Sequence, residues 1–156
     1  MKIKGEALLY DIANLAYVIA DTGDYLNHGL HRVTDVCEEG NRDRVARVLG
    51  HAYAYAIDAL AAVTEPPKID INRDWSAKVR DYEIKFRKDC GLSPQRKIRI
   101  KECVQEYMVT MVLSDWLGFT YPESADIWQE KAAEALASLS ATITGRYAFT
   151  RRQSPI

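Results

Sequence analysis

Two histidines and two aspartates lie close together between residues 24 and 35, at a spacing that could support a metal site. His28 and His31 are three residues apart, and Asp24 and Asp35 each stand four residues from one of them. On a helix this spacing places imidazole and carboxylate groups on one side, a half-site suited to zinc or another divalent metal. Gly29 interrupts the segment, and no second helix repeats the Glu-x-x-His pair of di-iron bundles. We therefore favour surface or loop-capping histidines and expect no cofactor, with a metal-dependent helical-bundle enzyme as the third functional hypothesis.

A second set of polar groups follows helical spacing. His51, Tyr55 and Asp58 could form a general base with an orienting partner. The sequence places no nucleophile or phosphate-binding loop beside them, and the common hydrolase and nucleotide-binding motifs are absent from it. We interpret these three residues, with Asp11 and Asn14 of an otherwise apolar helix, as a buried polar network between helices. The expected partners of Asp11 and Asn14 are three arginines of the second long helix: Arg42, Arg44 and Arg47. No catalytic residue is predicted.

Charge is distributed unevenly along the chain. The net charge is −1, yet residues 73–101 carry ten basic and four acidic residues. A basic segment with interleaved aromatic residues is typical of nucleic-acid contact, and it also suits contact with an acidic face of another copy. The interspersed acids and a pI of about 6.3 favour a solvated face or a contact between copies. The residues expected to contact a partner or nucleic acid are Arg87, Lys88, Arg96, Lys97, Arg99, Arg146, Arg151 and Arg152.

The last residues of the sequence lack helical periodicity. Residues 145–156 contain three arginines, two aromatic residues and a proline, and no acidic residue. We predict an extended C-terminal tail over 145–156 that follows a helical domain over 1–144. The tail is either a frayed terminus or an arm that docks on a neighbouring copy or on nucleic acid.

Five long helices and one short helix are predicted to position these groups. Apolar residues recur at intervals of three and four, and capping signals mark the ends. The long helices are predicted over 6–22, 41–65, 72–91, 94–118 and 122–145, and the short one over 34–39. The first is apolar nearly all round, which predicts the central helix of a bundle. No strand is expected, so the predicted fold class is an all-α helical bundle.

The composition excludes several classes of protein. The chain has 156 residues, 47% of them hydrophobic, which suits one globular domain. No apolar run approaches the roughly 18 residues of a membrane span, and Glu6 precedes the first apolar stretch, so we expect neither a membrane protein nor a signal peptide. Three cysteines without a Cys-x-x-Cys pair indicate reduced thiols, as in a cytoplasm.

Three stretches in order carry a resemblance to a known group of proteins. They are Tyr-Asp-Ile-Ala-Asn-Leu-Ala-Tyr-Val at 10–18, Glu-Glu-Gly-Asn-Arg-Asp-Arg-Val-Ala-Arg-Val-Leu at 38–49, and Glu-Tyr-Met-Val-Thr-Met-Val-Leu-Ser-Asp-Trp-Leu at 106–117, followed by Trp128 and Arg151-Arg152. The sequence resembles small all-helical prophage-encoded virion proteins of the head–tail connector, or neck, type. The resemblance implies a non-enzymatic subunit that self-assembles into a ring, contacts other virion proteins and passes from the bacterial cytoplasm into the virion. The alternative is a nucleic-acid-binding helical module that uses residues 73–101 and the tail. Its expected partner is DNA.

Overall fold

The computed structural model describes residues 1–22, 31–67 and 79–145. In these ranges the chain forms five α-helices, two single-turn 3-10 helices and two short strands. The elements are β1 (Lys2–Ile3), α1 (Gly5–Thr22), α2 (His31–Thr34), the 3-10 helices Asp35–Cys37 and Glu39–Asn41, α3 (Arg42–Ala59), β2 (Tyr82–Glu83), α4 (Pro94–Thr120) and α5 (Pro122–Thr144). The prediction of an all-α helical bundle is confirmed, with a small antiparallel ribbon added to it.

The central helix is α4. Residues around most of its circumference are buried: Ile100, Cys103, Val104, Tyr107, Met108, Val109, Thr110, Val112, Leu113 and Leu117. α5 packs along its length, while α3 and α1 pack against other sides. The helix begins as predicted, because Ser93 Oγ accepts a hydrogen bond from the Arg96 backbone N–H and Pro94 occupies the first turn. It continues through Gly118 and ends at Thr120.

The first helix is peripheral, so its predicted central position is wrong. α1 buries a single face, made of Gly5, Leu8, Ile12, Ala16 and Ile19. On its other sides Tyr10, Tyr17 and Val18 are 72%, 63% and 47% exposed. The apolar character all round this helix therefore produces an uncovered apolar surface instead of burial on every side.

The helix predicted over 72–91 is wrong in its described part. Residues 79–93 contain no helix, and β2 pairs antiparallel with β1 in the register Ile3 to Tyr82. Tyr82 and Ile84 are buried while the residues between and beside them are exposed, which is the two-residue period of a strand. The spacing of Tyr82, Ile84 and Phe86 already carried this signal. Residues 72–78 lie outside the described residues.

The remaining helices follow the predicted order with shifted ends. α3 begins after Asn41, but the Asn41 side chain donates to the Asp35 carbonyl oxygen, 2.8 Å away, and does not cap the helix. α3 ends at Ala59, well before the proline pair at 66–67. α5 ends as predicted at Gly145, which adopts a left-handed conformation with φ 68°. None of the helices in the described ranges has the length and apolarity needed to cross a bilayer.

Candidate functional site

The predicted metal ligands lie mostly outside the described residues. This is the case for Asp24 and His28, and for His31 only the backbone is described. Asp35 is half-buried, and one of its carboxylate oxygens accepts a hydrogen bond from the Thr34 hydroxyl at 3.4 Å. In the described ranges no three histidine, cysteine, aspartate or glutamate side chains are grouped so that they could hold a metal ion. The metal-dependent hypothesis stays a prediction.

The buried polar network predicted from the sequence is wrong. Asn14, His51, Tyr55 and Asp58 are exposed, and Asp11 is half-buried. On α3 the buried positions form the stripe Val45, Leu49, Ala52, Tyr53, Ala56 and Ile57, so the predicted polar positions fall on the solvent side. The partner of Asp11 is Gln105 of α4, whose Nε2 donates to Asp11 Oδ2 at 3.0 Å.

The three arginines expected beside Asp11 and Asn14 bind elsewhere. Arg44 forms a two-point contact with Asp115 of α4, with Nε 2.7 Å from Oδ2. This hydrogen bond raises the pKa of Arg44. Arg47 pairs with Asp43 one turn earlier at 3.7 Å, and Arg42 donates from Nε to the Cys37 carbonyl oxygen at 3.2 Å. Arg44 and Arg42 thus link α3 to α4 and to the preceding 3-10 helix, Arg47 pairs within α3, and none of the three contacts Asp11.

Most of the basic residues in the described ranges collect at one end of the molecule. We call residues 1–4, 60–67 and 79–101 the ribbon end, because the β1–β2 ribbon joins them. The Arg87 Nε donates to the Thr64 carbonyl oxygen at 2.9 Å, and the Lys97 ammonium lies 5.5 Å from the centre of the Phe86 ring. Ten basic and four acidic residues belong to this end. The ribbon end is therefore a positively charged surface.

The predicted contact residues at the ribbon end differ in exposure. Arg87, Lys88 and Arg99 are exposed, whereas Arg96 and Lys97 are half-buried. The end of α5 reaches this region, since a Cβ placed on Gly145 would lie 2.9 Å from Arg96 Nη2. The three tail arginines predicted as contacts, Arg146, Arg151 and Arg152, lie outside the described residues. Gly145, the residue before 146–156, therefore lies beside the ribbon end.

A groove of about 510 Å³ lies where α1 and α5 flank α4. Its apolar lining comes from all three helices, with Leu15, Val109 and Trp128 as the largest members. Its polar lining consists of Asp11, Asn14, Glu102, Gln105, Glu106, Thr110 and Lys131. The groove therefore combines apolar side chains with polar ones, among which three carboxylates outnumber one ammonium.

Within the described ranges, the acidic side chains of the groove have no ion-pair partner. Glu102 and Glu106 are exposed, and neither forms an ion pair with a residue in the described ranges. Lys131 is the one cation among the described residues that line the groove, and its Nζ lies 4.4 Å from the centre of the Trp128 ring, a cation–π contact. Three carboxylates against one ammonium leave the groove with a negative potential.

The acidic character extends beyond the groove onto both flanking helices. α1 and α5 together carry seven acidic residues and a single basic one, Lys131. On α5 Glu123, Glu130 and Glu134 are exposed and lie on one side with Ile127, which is 54% exposed. We call the groove and the exposed charged residues of α1 and α5 the acidic face. It begins where the ribbon end stops, at the start of α1 and at Glu102 of α4, and it is opposite to the ribbon end in charge.

Sequence reasoning missed this groove. Glu102, Glu106 and Val109 follow at helical spacing on α4, and α5 is acidic with one lysine, so both signals were present. The sequence does not show how the helices pack, and it is the packing that leaves a gap between α1 and α5. Such a gap depends on how three helices are arranged, and spacing along one helix does not reveal it.

Burial works against the reactivity of two cysteines, Cys37 and Cys103. Burial raises the pKa of the Cys37 thiol, with Arg42 partly opposing the effect. Burial also raises the pKa of the Cys103 thiol. A raised pKa reduces the thiolate fraction at neutral pH, and the thiolate is the reactive form.

Taken together, the described residues offer two candidate binding regions, the ribbon end and the acidic face with its groove. Comparisons with models of protein families, with characterised proteins and with solved structures give no significant match.

Proposed function

We propose that this chain is a non-enzymatic structural subunit that self-assembles through two unlike faces, the ribbon end of one copy meeting the acidic face of the next. The resemblance to connector proteins suggests the setting, a ring in the neck of a phage-type virion that forms in the bacterial cytoplasm and joins other virion proteins. Contacts between unlike faces produce rings when the rotation between subunits closes.

The observation that carries the proposal is the separation of charge between two surfaces of one chain. The ribbon end has ten basic against four acidic residues, and α1 with α5 has seven acidic against one basic. Complementary potentials steer association and fix which faces meet. Because the two surfaces are different, a pair of copies still has one free face of each kind, so assembly can continue beyond a dimer.

The exposed apolar residues of α1 support the same proposal. Tyr10 and Tyr17 are among the most exposed large side chains in the described ranges, and Val18 is nearly half exposed. Aromatic side chains are enriched at protein interfaces, where they contribute large contact area. Their position on the acidic face gives this surface apolar contacts that charge alone would not supply.

Light scattering over a concentration series, with the same samples viewed as stained particles, tests the proposal. We expect defined oligomers or rings whose mass falls toward the monomer as salt rises. The variant Glu130→Lys/Glu134→Lys should weaken association by about 100-fold or more, because like charges facing one another cost several kcal/mol. The variant Glu38→Lys/Glu39→Lys makes the same charge change outside the acidic face and should assemble normally. A monomer at every concentration, or an equal effect of both variants, contradicts the proposal.

A second function, nucleic-acid binding, is favoured by one specific observation. The contact of Gly145 with Arg96 brings the start of the arginine-containing residues 146–156 to the positively charged ribbon end. Phosphate contacts by such residues would make the affinity for duplex DNA fall with salt at a log–log slope of about −0.9 per contact. Replacing exposed Lys88 and Arg99 with glutamine should then reduce that slope by about one unit each. A flat salt dependence excludes this function.

A further inference from the structure

We infer that the groove between α1, α4 and α5 binds residues 146–156 of a neighbouring copy. The inference rests on the proposed function, because it requires that copies of the chain meet. It adds to that function the segment that enters the groove and the chemistry that holds it there.

Charge complementarity is the first reason. The groove presents Asp11, Glu102 and Glu106, and the two glutamates form no ion pair with any residue in the described ranges. Residues 146–156 contain three arginines and no acidic residue. Arginine forms two-point hydrogen bonds with carboxylates, which makes such pairs the strongest of the charge-assisted contacts. The segment therefore supplies cations for two glutamates that have no ion-pair partner in the described ranges.

Apolar complementarity is the second reason. Leu15, Val109 and Trp128 line the groove, and the segment contains two aromatic residues, Tyr147 and Phe149. Aromatic residues and arginines are interspersed in this segment, and apolar and acidic side chains lie side by side in the groove, so each kind of residue finds a suitable partner. Lys131 over the Trp128 ring shows that a cation already finds this ring favourable.

The distance along α5 excludes one part of this contact within a single copy, namely the packing of the segment's aromatic residues on Trp128. Trp128 precedes Gly145 by 17 residues, which is about 25 Å along a helix. Phe149 follows Gly145 by four residues, or about 14 Å of fully extended backbone. The backbone at either aromatic residue therefore cannot lie beside the Trp128 ring of its own chain. A neighbouring copy has no such restriction.

The proposed contact between copies also delivers the segment to the groove. Residues 146–156 start at Gly145, beside Arg96 at the ribbon end. When the ribbon end of one copy meets the acidic face of the next, this starting point is brought to the face that contains the groove. One interface thus accounts for both the charge pattern and the position of the segment.

A labelled peptide with the sequence of residues 146–156 tests the inference directly. The receiving protein is the full chain with Arg151→Glu/Arg152→Glu, so that its own segment no longer competes. We expect saturable binding by fluorescence anisotropy, weakened at least tenfold when Glu102→Lys/Glu106→Lys is added to the receiver. Both glutamates are exposed, so these substitutions leave the core intact. As a control, Glu38→Lys/Glu39→Lys in the receiver should leave the affinity for the peptide unchanged. A peptide that carries Arg151→Glu and Arg152→Glu should not bind.

Failure of the inference and failure of the proposed function give different results. If the chain forms oligomers but the peptide does not bind, or binds both receivers equally, the inference is overturned and the proposed function stands. If the peptide binds duplex DNA and not the receiver, the segment serves the nucleic-acid function and the inference is overturned. If the peptide binds the groove but the full chain stays monomeric at every concentration, the groove accepts the segment but not from a neighbouring copy, so the proposed function and the inference are both overturned.

Discussion

Replacing Gly5 with alanine should destabilise the protein, although helix propensity alone predicts the opposite. Gly5 is the first residue of α1 and is buried where the helix meets the strand-containing segment 79–84. An added Cβ would lie 2.6 Å from the Arg80 carbonyl oxygen and 2.9 Å from a methyl carbon of Val79. The carbonyl oxygen belongs to the backbone, so rotation of a side chain cannot relieve this contact. The segment itself must move.

Three effects set the size of the change. Forcing an extra carbon into a packed site typically costs about 1–3 kcal/mol. Moving the segment also weakens the hydrogen bond from the Gly5 backbone N–H to Asp81 Oδ1, now 3.0 Å, and such bonds to charged groups contribute about 1.5–3 kcal/mol. Alanine in place of glycine in a helix returns about 0.5–1 kcal/mol. Since the first two effects exceed the third, we expect Gly5→Ala to lower the free energy of unfolding by about 2 kcal/mol.

Thermal and urea unfolding followed by circular dichroism measures this change. For a chain of this length about 2 kcal/mol corresponds to a Tm lower by about 4–8 °C. The matched control is Gly118→Ala, because Gly118 is an exposed residue of α4 and a Cβ there would meet nothing within 4 Å. That variant should gain about 0.5–1 kcal/mol from helix propensity alone.

The two variants together decide whether the reasoning holds. If Gly5→Ala is as stable as Gly118→Ala, then the close approach of α1 to residues 79–81 does not limit the site and the steric argument is refuted. If both variants are destabilised, then the expectation that a Cβ at Gly118 meets no other atom is wrong.

Two further predictions concern α2 and the cysteines. Trp116→Phe should lower the free energy of unfolding by about 1–2 kcal/mol, because it removes the 3.0 Å hydrogen bond from the indole Nε1 to the Val33 carbonyl oxygen. An unchanged midpoint of urea unfolding would contradict this role of Trp116. The free energy of unfolding should fall as pH rises above about 8.5, because burial raises the folded-state pKa of Cys37 and Cys103, so the unfolded chain loses these protons first. The fall between pH 8 and 10 should shrink in the Cys37→Ala/Cys103→Ala variant, and stability that increases over this range would show that the sign is wrong.

Local signals in the sequence predicted the C-terminal helices well. Ser93 before Pro94 marks the start of α4, Pro122 marks the start of α5, and Gly145 marks its end. Each signal acts through backbone groups within one turn, so it operates whatever the rest of the chain does. Gly118 misled the prediction only slightly, since a glycine ends a helix only where the chain adopts a left-handed turn, and here it remains helical.

The errors arose where distant parts of the chain decide the outcome. Tyr82 and Ile84 are buried because β2 pairs with β1, some eighty residues earlier, and the alternation was read with a helical period. Asp11 was assigned arginine partners on the next helix, but α4 lies beside it and supplies Gln105. The groove was missed for the same reason. It exists only where three helices are assembled, and no single stretch of sequence contains it.

The pairing of β1 with β2 has a consequence for the order in which the protein forms. α4 and α5 are joined by a single residue and pack along their length, so their contacts form early and locally. The ribbon instead closes a loop of about eighty residues, which carries a larger entropic cost. At about 5–20 residues per second, the ribosome needs at least several seconds after completing β1 to supply its partner strand β2. During translation α1 can already pack against α2 and the 3-10 helix Asp35–Cys37, whereas β1 has no pairing partner until β2 has been made. We therefore expect the pairing of residues 1–4 to be the last contact of the N-terminal part of the chain to form.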